Sequence, residues 1–82
     1  MVSSLKDLEE KISRAVLAIR KLYPDTSITR VKIGKNKVRV YGRAGKHWFK
    51  IIISSDGKAR VYSSSRSVES VARRRLGEGE TD

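Results

Sequence analysis

The chain of 82 residues carries a formal net charge of +10, from 19 lysines and arginines against nine acids, and contains no cysteine. A chain this short forms one domain with a thin core, about two layers of secondary structure. The lack of cysteine excludes disulfides and thiolate metal sites and makes an intracellular location the expectation. So large a basic excess is typical of proteins that bind a polyanion, nucleic acid more often than an anionic membrane.

We expect neither a targeting signal nor a membrane span. No run of about 18 apolar residues is present, so we expect no transmembrane helix. The first residues, MVSSLKDLEEK, lack the basic and apolar regions of a secretory signal. We therefore expect a cytoplasmic protein, associated with the nucleoid if it binds DNA. Glutamine is absent and Asn36 is the one asparagine, a composition that indicates a heat-adapted, archaeal source.

A first helix is predicted over residues 4–23. Ser4 and Asp7 have the spacing of a capping box, and Pro24 ends the helix. Apolar residues then recur every three or four positions and form one stripe, which consists of Leu5, Leu8, Ile12, Ala15, Val16, Ile19, Leu22 and Tyr23.

Four segments with alternating polarity predict strands over residues 28–34, 37–43, 47–54 and 58–63. The breaks between them are two or three residues long, which favours hairpins: Lys35-Asn36, Ala44-Gly45 and Ser55-Asp56-Gly57. A second helix over 66–76 follows, capped by Ser65 or Ser67, with Val68, Val71, Ala72 and Leu76 facing inward. Gly77 is the expected C-cap, and 77–82 the expected acidic disordered tail of a single domain over 1–76.

The loop lengths fix which residues face each other across the hairpins. They pair Ile33 with Val38, Val31 with Val40, Val40 with Phe49, Val38 with Ile51, Ile51 with Val61 and Ile53 with Ala59. All of these residues are apolar and share one face of the sheet. The economical fold covers that face with both helices, an α+β two-layer sandwich of order α-β-β-β-β-α with an antiparallel meander sheet.

The opposite face is then basic and open to solvent. The same registers predict three rows across it: Lys32, Arg39, Lys50 and Tyr62; Arg30, Tyr41 and Trp48; and Lys37, Ile52 and Arg60. Arg43, Lys46 and Lys58 lie at hairpin ends. Opposed like charges do not help a sheet to fold, so this clustering indicates binding. Ile52 breaks the alternation, either as part of an apolar wedge with Trp48 or because something covers it.

Cations would contact phosphates, and the aromatic rings would stack on bases or wedge at a groove. The alternative for the rings is that they cover arginine and lysine stems. Arg66 begins the second helix among several serines and could add a phosphate contact, although capping explains the serines equally well. The predicted nucleic-acid-binding residues are Arg30, Lys32, Arg39, Tyr41, Arg43, Lys46, Trp48, Lys50, Lys58, Arg60, Tyr62 and Arg66.

The segment SSSRSVESVARRRL and the helix–sheet–helix order resemble the double-stranded RNA-binding domain in topology. That family has three strands where four are predicted here, and its lysine cluster corresponds only to Arg66, so no membership follows. The open basic sheet with an aromatic wedge is similar in design to small archaeal chromatin proteins that bind duplex DNA.

Low-specificity DNA binding is the favoured function, because the face has few asparagine or glutamine side chains for reading adenine. RNA binding, for instance in a ribosome-associated protein, is the first alternative, and an interaction module for an acidic protein or anionic surface is the second. An enzyme is not expected, because one histidine and no cysteine make no typical zinc site, no pair of acids is placed on the sheet face, and no phosphate-binding glycine motif is present. No cofactor or metal is expected, and a homodimer through the helices remains open.

Overall fold

The computed structural model describes residues 5–76. The elements are α1 (Leu5–Leu22), β1 (Ser27–Ile33), β2 (Lys37–Ala44), β3 (His47–Ser54), β4 (Ala59–Ser63) and α2 (Arg66–Arg75). Their order and the antiparallel strand order β1-β2-β3-β4 confirm the predicted α+β fold. The expected cap at Ser4, the C-cap at Gly77 and the acidic tail over 77–82 lie outside the described residues.

Helix α1 forms where its apolar spacing predicted, and the turn after it is fixed by hydrogen bonds. Leu8, Ile12 and Ile19 on its stripe are buried. The helix ends before Pro24, and the backbone N–H and hydroxyl of Thr26 both donate to the carbonyl of Tyr23, at 3.0 and 2.6 Å. These bonds satisfy a carbonyl at the helix end and turn the chain into β1.

Helix α2 is capped by Ser65, one of the two predicted candidates. The Ser65 side chain accepts a hydrogen bond from the Val68 backbone N–H at 3.3 Å, and its own backbone is extended. At the other end, Leu76 is buried and its N–H donates to the carbonyl of Ala72 at 3.0 Å. The inward placement predicted for Val68, Ala72 and Leu76 is confirmed, and Val71 is half-buried.

One buried cluster joins both helices to a single face of the sheet. Phe49, Ile51 and Ile53 of β3 are its centre, with 1% exposure or less. Helix α1 packs against α2 and β2, and α2 packs against β4. Burial of each of these large side chains contributes about 1.5–3 kcal/mol.

The register of the first and third hairpins is as predicted, but that of the second is shifted by two residues. Its turn is Gly45-Lys46, so Ala44 faces His47 and Val40 faces Ile51. Gly45 has a φ of +63°, which suits the first central position of a type II′ turn, where glycine is preferred. A shift of two residues leaves every side chain on its predicted face.

The helices do not cover β1, contrary to the prediction. Val31 and Ile33 are on the helix side, opposite Val40 and Val38, yet they are 52% and 60% exposed. The two helices lie over the other strands, and every residue of β1 is exposed. A bulge between Ile28 and Arg30 pairs Ile28 with a core-side residue of β2, so this side chain also faces the helices.

Gly42 is required by the close passage of the Phe49 ring and of β1. A Cβ atom at this position would lie 2.4 Å from Phe49 Cζ and 2.6 Å from the Ser27 carbonyl oxygen. At Gly34 the nearest atom to such a Cβ is at an ordinary 3.4 Å. Gly42 is thus the position where the thin core tolerates no side chain.

We predict that Gly42→Ala lowers the free energy of unfolding by about 1–3 kcal/mol, as overpacking of a core does. The matched control is Gly34→Ala, which should change stability by less than about 1 kcal/mol. Chemical denaturation followed by circular dichroism measures both. Equal stability of the two variants would contradict the packing described for Phe49.

Candidate nucleic-acid interface

The sheet face opposite the helices, here called the open face, is basic throughout. Its side chains alternate with the buried ones and are Arg30, Lys32, Lys37, Arg39, Tyr41, Arg43, Trp48, Lys50, Ile52, Ser54, Arg60 and Tyr62. Asp56 is the one acid in the sequence from Ser27 to Ser63. It lies in the β3–β4 turn, where a carboxylate oxygen accepts from the Lys58 N–H at 3.0 Å. Along the strands themselves, only cations supply formal charge.

The shifted second hairpin rearranges the rows on this face. One row is Lys32, Arg39, Ile52 and Arg60, and the next is Arg30, Tyr41, Lys50 and Tyr62. The predicted rows, which placed Lys50 beside Arg39 and Trp48 beside Tyr41, are therefore wrong. The third predicted row, Lys37, Ile52 and Arg60, is wrong at one position. Lys37 faces Ser54, whereas Ile52 faces Arg60 as predicted. The set of open-face residues is unchanged, because both registers keep the same side chains on this face.

Lys50 lies between two tyrosine rings at the middle of the open face. Its Nζ is 5.6 Å from the ring centroid of Tyr41 and 5.9 Å from that of Tyr62. These are cation–π distances, each contributing about 0.5–1 kcal/mol at an exposed site. The two rings hold the ammonium group at a defined place and separate it from the cations of the neighbouring strands. Its donors remain available to an anion above the sheet.

Trp48 is fixed through its backbone while its side chain is 50% exposed. Its carbonyl accepts from the Ser63 hydroxyl at 2.8 Å and from the Ser64 N–H at 3.2 Å. Its N–H donates to the Ser64 hydroxyl oxygen at 3.2 Å. Arg43 is its partner on β2. The indole is therefore a large apolar surface, presented to solvent beside a cation from a part of the sheet whose backbone is hydrogen-bonded.

The hypothesis of an apolar wedge formed by Ile52 and Trp48 is wrong. Ile52 faces Arg39 on one side and Arg60 on the other, and Lys50 lies between it and Trp48 along β3. Alternate positions on a strand are about 6.6 Å apart, so roughly 13 Å separates the two residues. Ile52 is half-buried, as expected when the aliphatic stems of neighbouring arginines cover an apolar side chain.

The serines before α2 have structural partners. Ser63 Oγ donates to Trp48 and accepts from the Ser65 N–H at 3.0 Å, while Ser64 Oγ lies 3.4 Å from His47 Nδ1. The hydroxyls of Ser63 and Ser64 thus join β3 to the segment before α2, and that of Ser65 caps the helix, which favours the capping interpretation over a phosphate site. Arg66 is exposed at the start of α2, and Lys46 and Lys58 lie in turns at opposite ends of the sheet.

The helical layer carries a smaller basic cluster that sequence reasoning missed. Arg14, Lys21 and Arg75 surround Leu17 and Ala18 in a shallow hollow of about 250 Å³ between α1 and α2. The spacing of seven between the two α1 cations places them on one side of that helix. That spacing was the available signal, but the approach of Arg75 depends on how α1 packs against α2. Arg73 is engaged differently, in a 2.8 Å ion pair with Glu69.

Comparison with protein-family models, with curated proteins and with solved structures gave no match to this chain. Neither described helix combines the length and apolar character needed to span a membrane. Within residues 5–76, no group of three or more histidines and acids is placed to hold a metal ion. What can be said of the site therefore depends on its own geometry and charge.

The cations around Trp48 should be detectable through its fluorescence, since this is the single tryptophan of the chain. We predict that the ratio of iodide to caesium quenching is higher for the protein than for free N-acetyltryptophanamide, because a positive potential concentrates anions at the indole. Raising the ionic strength should reduce the ratio. Arg43→Glu should lower iodide quenching, whereas the same reversal at Arg14 on α1 should not. A ratio no higher than that of the free compound would contradict a basic environment at Trp48.

Proposed function

We propose that the protein binds nucleic acid through the open face, mainly by contacts to phosphates, and that its target is DNA read with low sequence specificity. The observation that carries this proposal is a folded, solvent-facing sheet surface with many cations and no acid among its strand residues. Folding gains nothing from Lys32 facing Arg39. A polyanion accounts for this arrangement, because each neutralised phosphate releases condensed counterions.

The side chains of the open face support low specificity. Asparagine and glutamine, which suit adenine, are absent from the face as it is described. Lys50, held between two tyrosines, is a point charge suited to phosphate oxygens. Recognition would depend chiefly on backbone charge and shape, with Trp48 available to stack or to enter a groove.

RNA is the second candidate target, and the exposed aromatic rings favour it. Trp48 and Tyr62 are 50% and 42% exposed on the basic face. Unstacked bases of single-stranded loops can stack on such rings, a common mode of RNA recognition. Comparison of duplex DNA, duplex RNA and single strands of both polymers separates the two targets. Preferential binding of single-stranded RNA would replace DNA by RNA in the proposal.

We predict that Lys50→Glu and Arg39→Glu weaken binding of a duplex oligonucleotide by about tenfold or more at about 0.1 M salt, since each removes a phosphate contact. If about five phosphates are neutralised, log K against log salt should have a slope near −4.5, reduced by about 0.9 for each lost contact. Fluorescence anisotropy at several salt concentrations measures both quantities.

The control is Arg14→Glu, which makes the same charge change as Arg39→Glu on the helical layer. It should retain most of the affinity, and circular dichroism should show all three variants folded. If Arg14→Glu is as damaging as the open-face variants, binding follows net charge alone and the open face is the wrong site. Absence of binding to any DNA or RNA at low salt would leave an acidic protein or an anionic surface as the partner.

Trp48→Ala and Tyr23→Ala should separate binding from stability. Trp48 is exposed on the open face, so its loss should cost about 1–3 kcal/mol of binding if a base stacks on it. Tyr23 packs against the core and the Gly45 turn, so its loss should mainly lower the melting temperature. Thermal unfolding and anisotropy on both variants test this, and the reverse pattern would place the aromatic contact elsewhere.

A further inference from the structure

The free edge of β1 has unpaired backbone groups and exposed apolar side chains that the proposed nucleic-acid face does not use. Strand β1 is the first strand of the sheet, paired on one side only, with β2. All seven of its residues are exposed. At the opposite edge, by contrast, Val61 of β4 is 1% exposed and α2 packs over the strand. The two edges therefore differ, and only the β1 edge leaves its apolar side chains uncovered.

The hydrogen-bonding pattern of the β1–β2 hairpin shows which backbone N–H and carbonyl groups of β1 are not bonded to β2. The Gly34 N–H donates to the Lys37 carbonyl at 2.8 Å. Bonded and non-bonded pairs alternate along an antiparallel ladder, so Lys32 and Arg30 bond to β2. The N–H and carbonyl groups of Val31 and Ile33 consequently point away from β2, toward the free edge.

Of these two residues, Val31 also lines a mainly apolar groove between β1 and α1. Its apolar lining is Val31 and Ile28 from β1 with Ile12, Val16 and Leu17 from α1, Ser13 and Arg20 of α1 also border it, and its volume is about 340 Å³. Leu17 is 56% exposed and Ile33 extends the apolar strip along the strand. An added strand would thus find backbone partners and apolar contacts at the same residues.

The positive charge of β1 on the open-face side indicates that the partner is acidic. Arg30 and Lys32 alternate with Val31 and Ile33 and face the open side. A strand paired with β1 would place every second side chain toward the groove and the others toward these cations. A second copy paired antiparallel through this edge would bring its own Arg30 and Lys32 into the same rows, a like-charge arrangement that destabilises pairing.

We propose that the β1 edge binds an extended segment of a partner protein whose residues alternate between apolar and acidic. The segment adds a fifth strand, antiparallel to β1, by main-chain hydrogen bonds to Val31 and Ile33. Its apolar side chains lie over the groove, and its acidic side chains lie beside Arg30 and Lys32. This site is separate from the centre of the open face, and its existence does not depend on nucleic-acid binding.

The probe is a short, capped, fluorescent synthetic peptide of alternating valine and glutamate, tested by anisotropy at about 0.15 M salt. Its valines would exchange hydrogen bonds with Val31 and Ile33. Methylation of the valine amide nitrogens should therefore lower affinity at least tenfold. Methylation of the glutamate amide nitrogens, which would point away from β1, should change it less than twofold. Both peptides have the same charge and composition, so general attraction to a basic protein cannot separate them.

The protein variants test the same contact from the other side. Val31→Lys should lower peptide affinity at least tenfold although it adds a positive charge, because it removes the apolar contact. Leu22→Lys makes the same charge change at a 46% exposed position that does not line the groove, and it should bind as well as the original chain.

Three results would overturn the proposal. One is equal binding of the two methylated peptides, and another is a Val31→Lys variant that folds and binds as tightly as Leu22→Lys. The third is a concentration-dependent dimer in sedimentation experiments that Val31→Lys abolishes and Leu22→Lys retains, which would assign the edge to a second copy. The peptide comparison uses the unaltered protein and stays decisive if Val31→Lys fails to fold.

Discussion

Burial of only one face of the sheet is the constraint on which the rest of the structure depends. Two helices of 18 and 10 residues supply one apolar stripe each, enough to cover one side of β2, β3 and β4. Phe49, Ile51 and Ile53 are held there in a single layer. The period of two in a strand then forces the intervening side chains into water, so core and surface alternate residue by residue along the same strand.

The open face accommodates its cations by separating them. If Lys50 stood beside Arg39, as the sequence suggested, three cations would adjoin across neighbouring strands. Instead, Tyr41 and Tyr62 flank Lys50, and Ile52 separates Arg39 from Arg60. The rings and the aliphatic group reduce direct opposition of like charges, and the high dielectric constant of water weakens what remains. Sheet stability and a dense positive potential are therefore compatible on one surface.

Alternation of polar and apolar residues shows which face of the sheet each side chain lies on, but it does not determine which residues of neighbouring strands are paired. The element order, a serine cap at Ser65 or Ser67 and the basic open face followed from local patterns. The Gly45-Lys46 turn did not, since registers that differ by two residues place Val38 and Val40 on the same face. The pattern also could not show that the helices leave β1 uncovered. Val31 has the sequence character of a core residue, and only the lateral position of α1 leaves it exposed. The bulge beside Ile28 likewise depends on pairing with β2.

Strand β1 belongs to both proposed surfaces, and this links them. Arg30 and Lys32 are at once the outer cations of the open face and the charge that selects an acidic strand at the edge. Acidic side chains bound there would lower the positive potential over the neighbouring row, so an edge-bound segment would weaken polyanion binding. Linkage makes the effect reciprocal: a bound polyanion lowers the affinity of the edge for the acidic segment by the same factor. The two proposals together imply competition through charge, without overlap of the apolar groove and the Lys50 site.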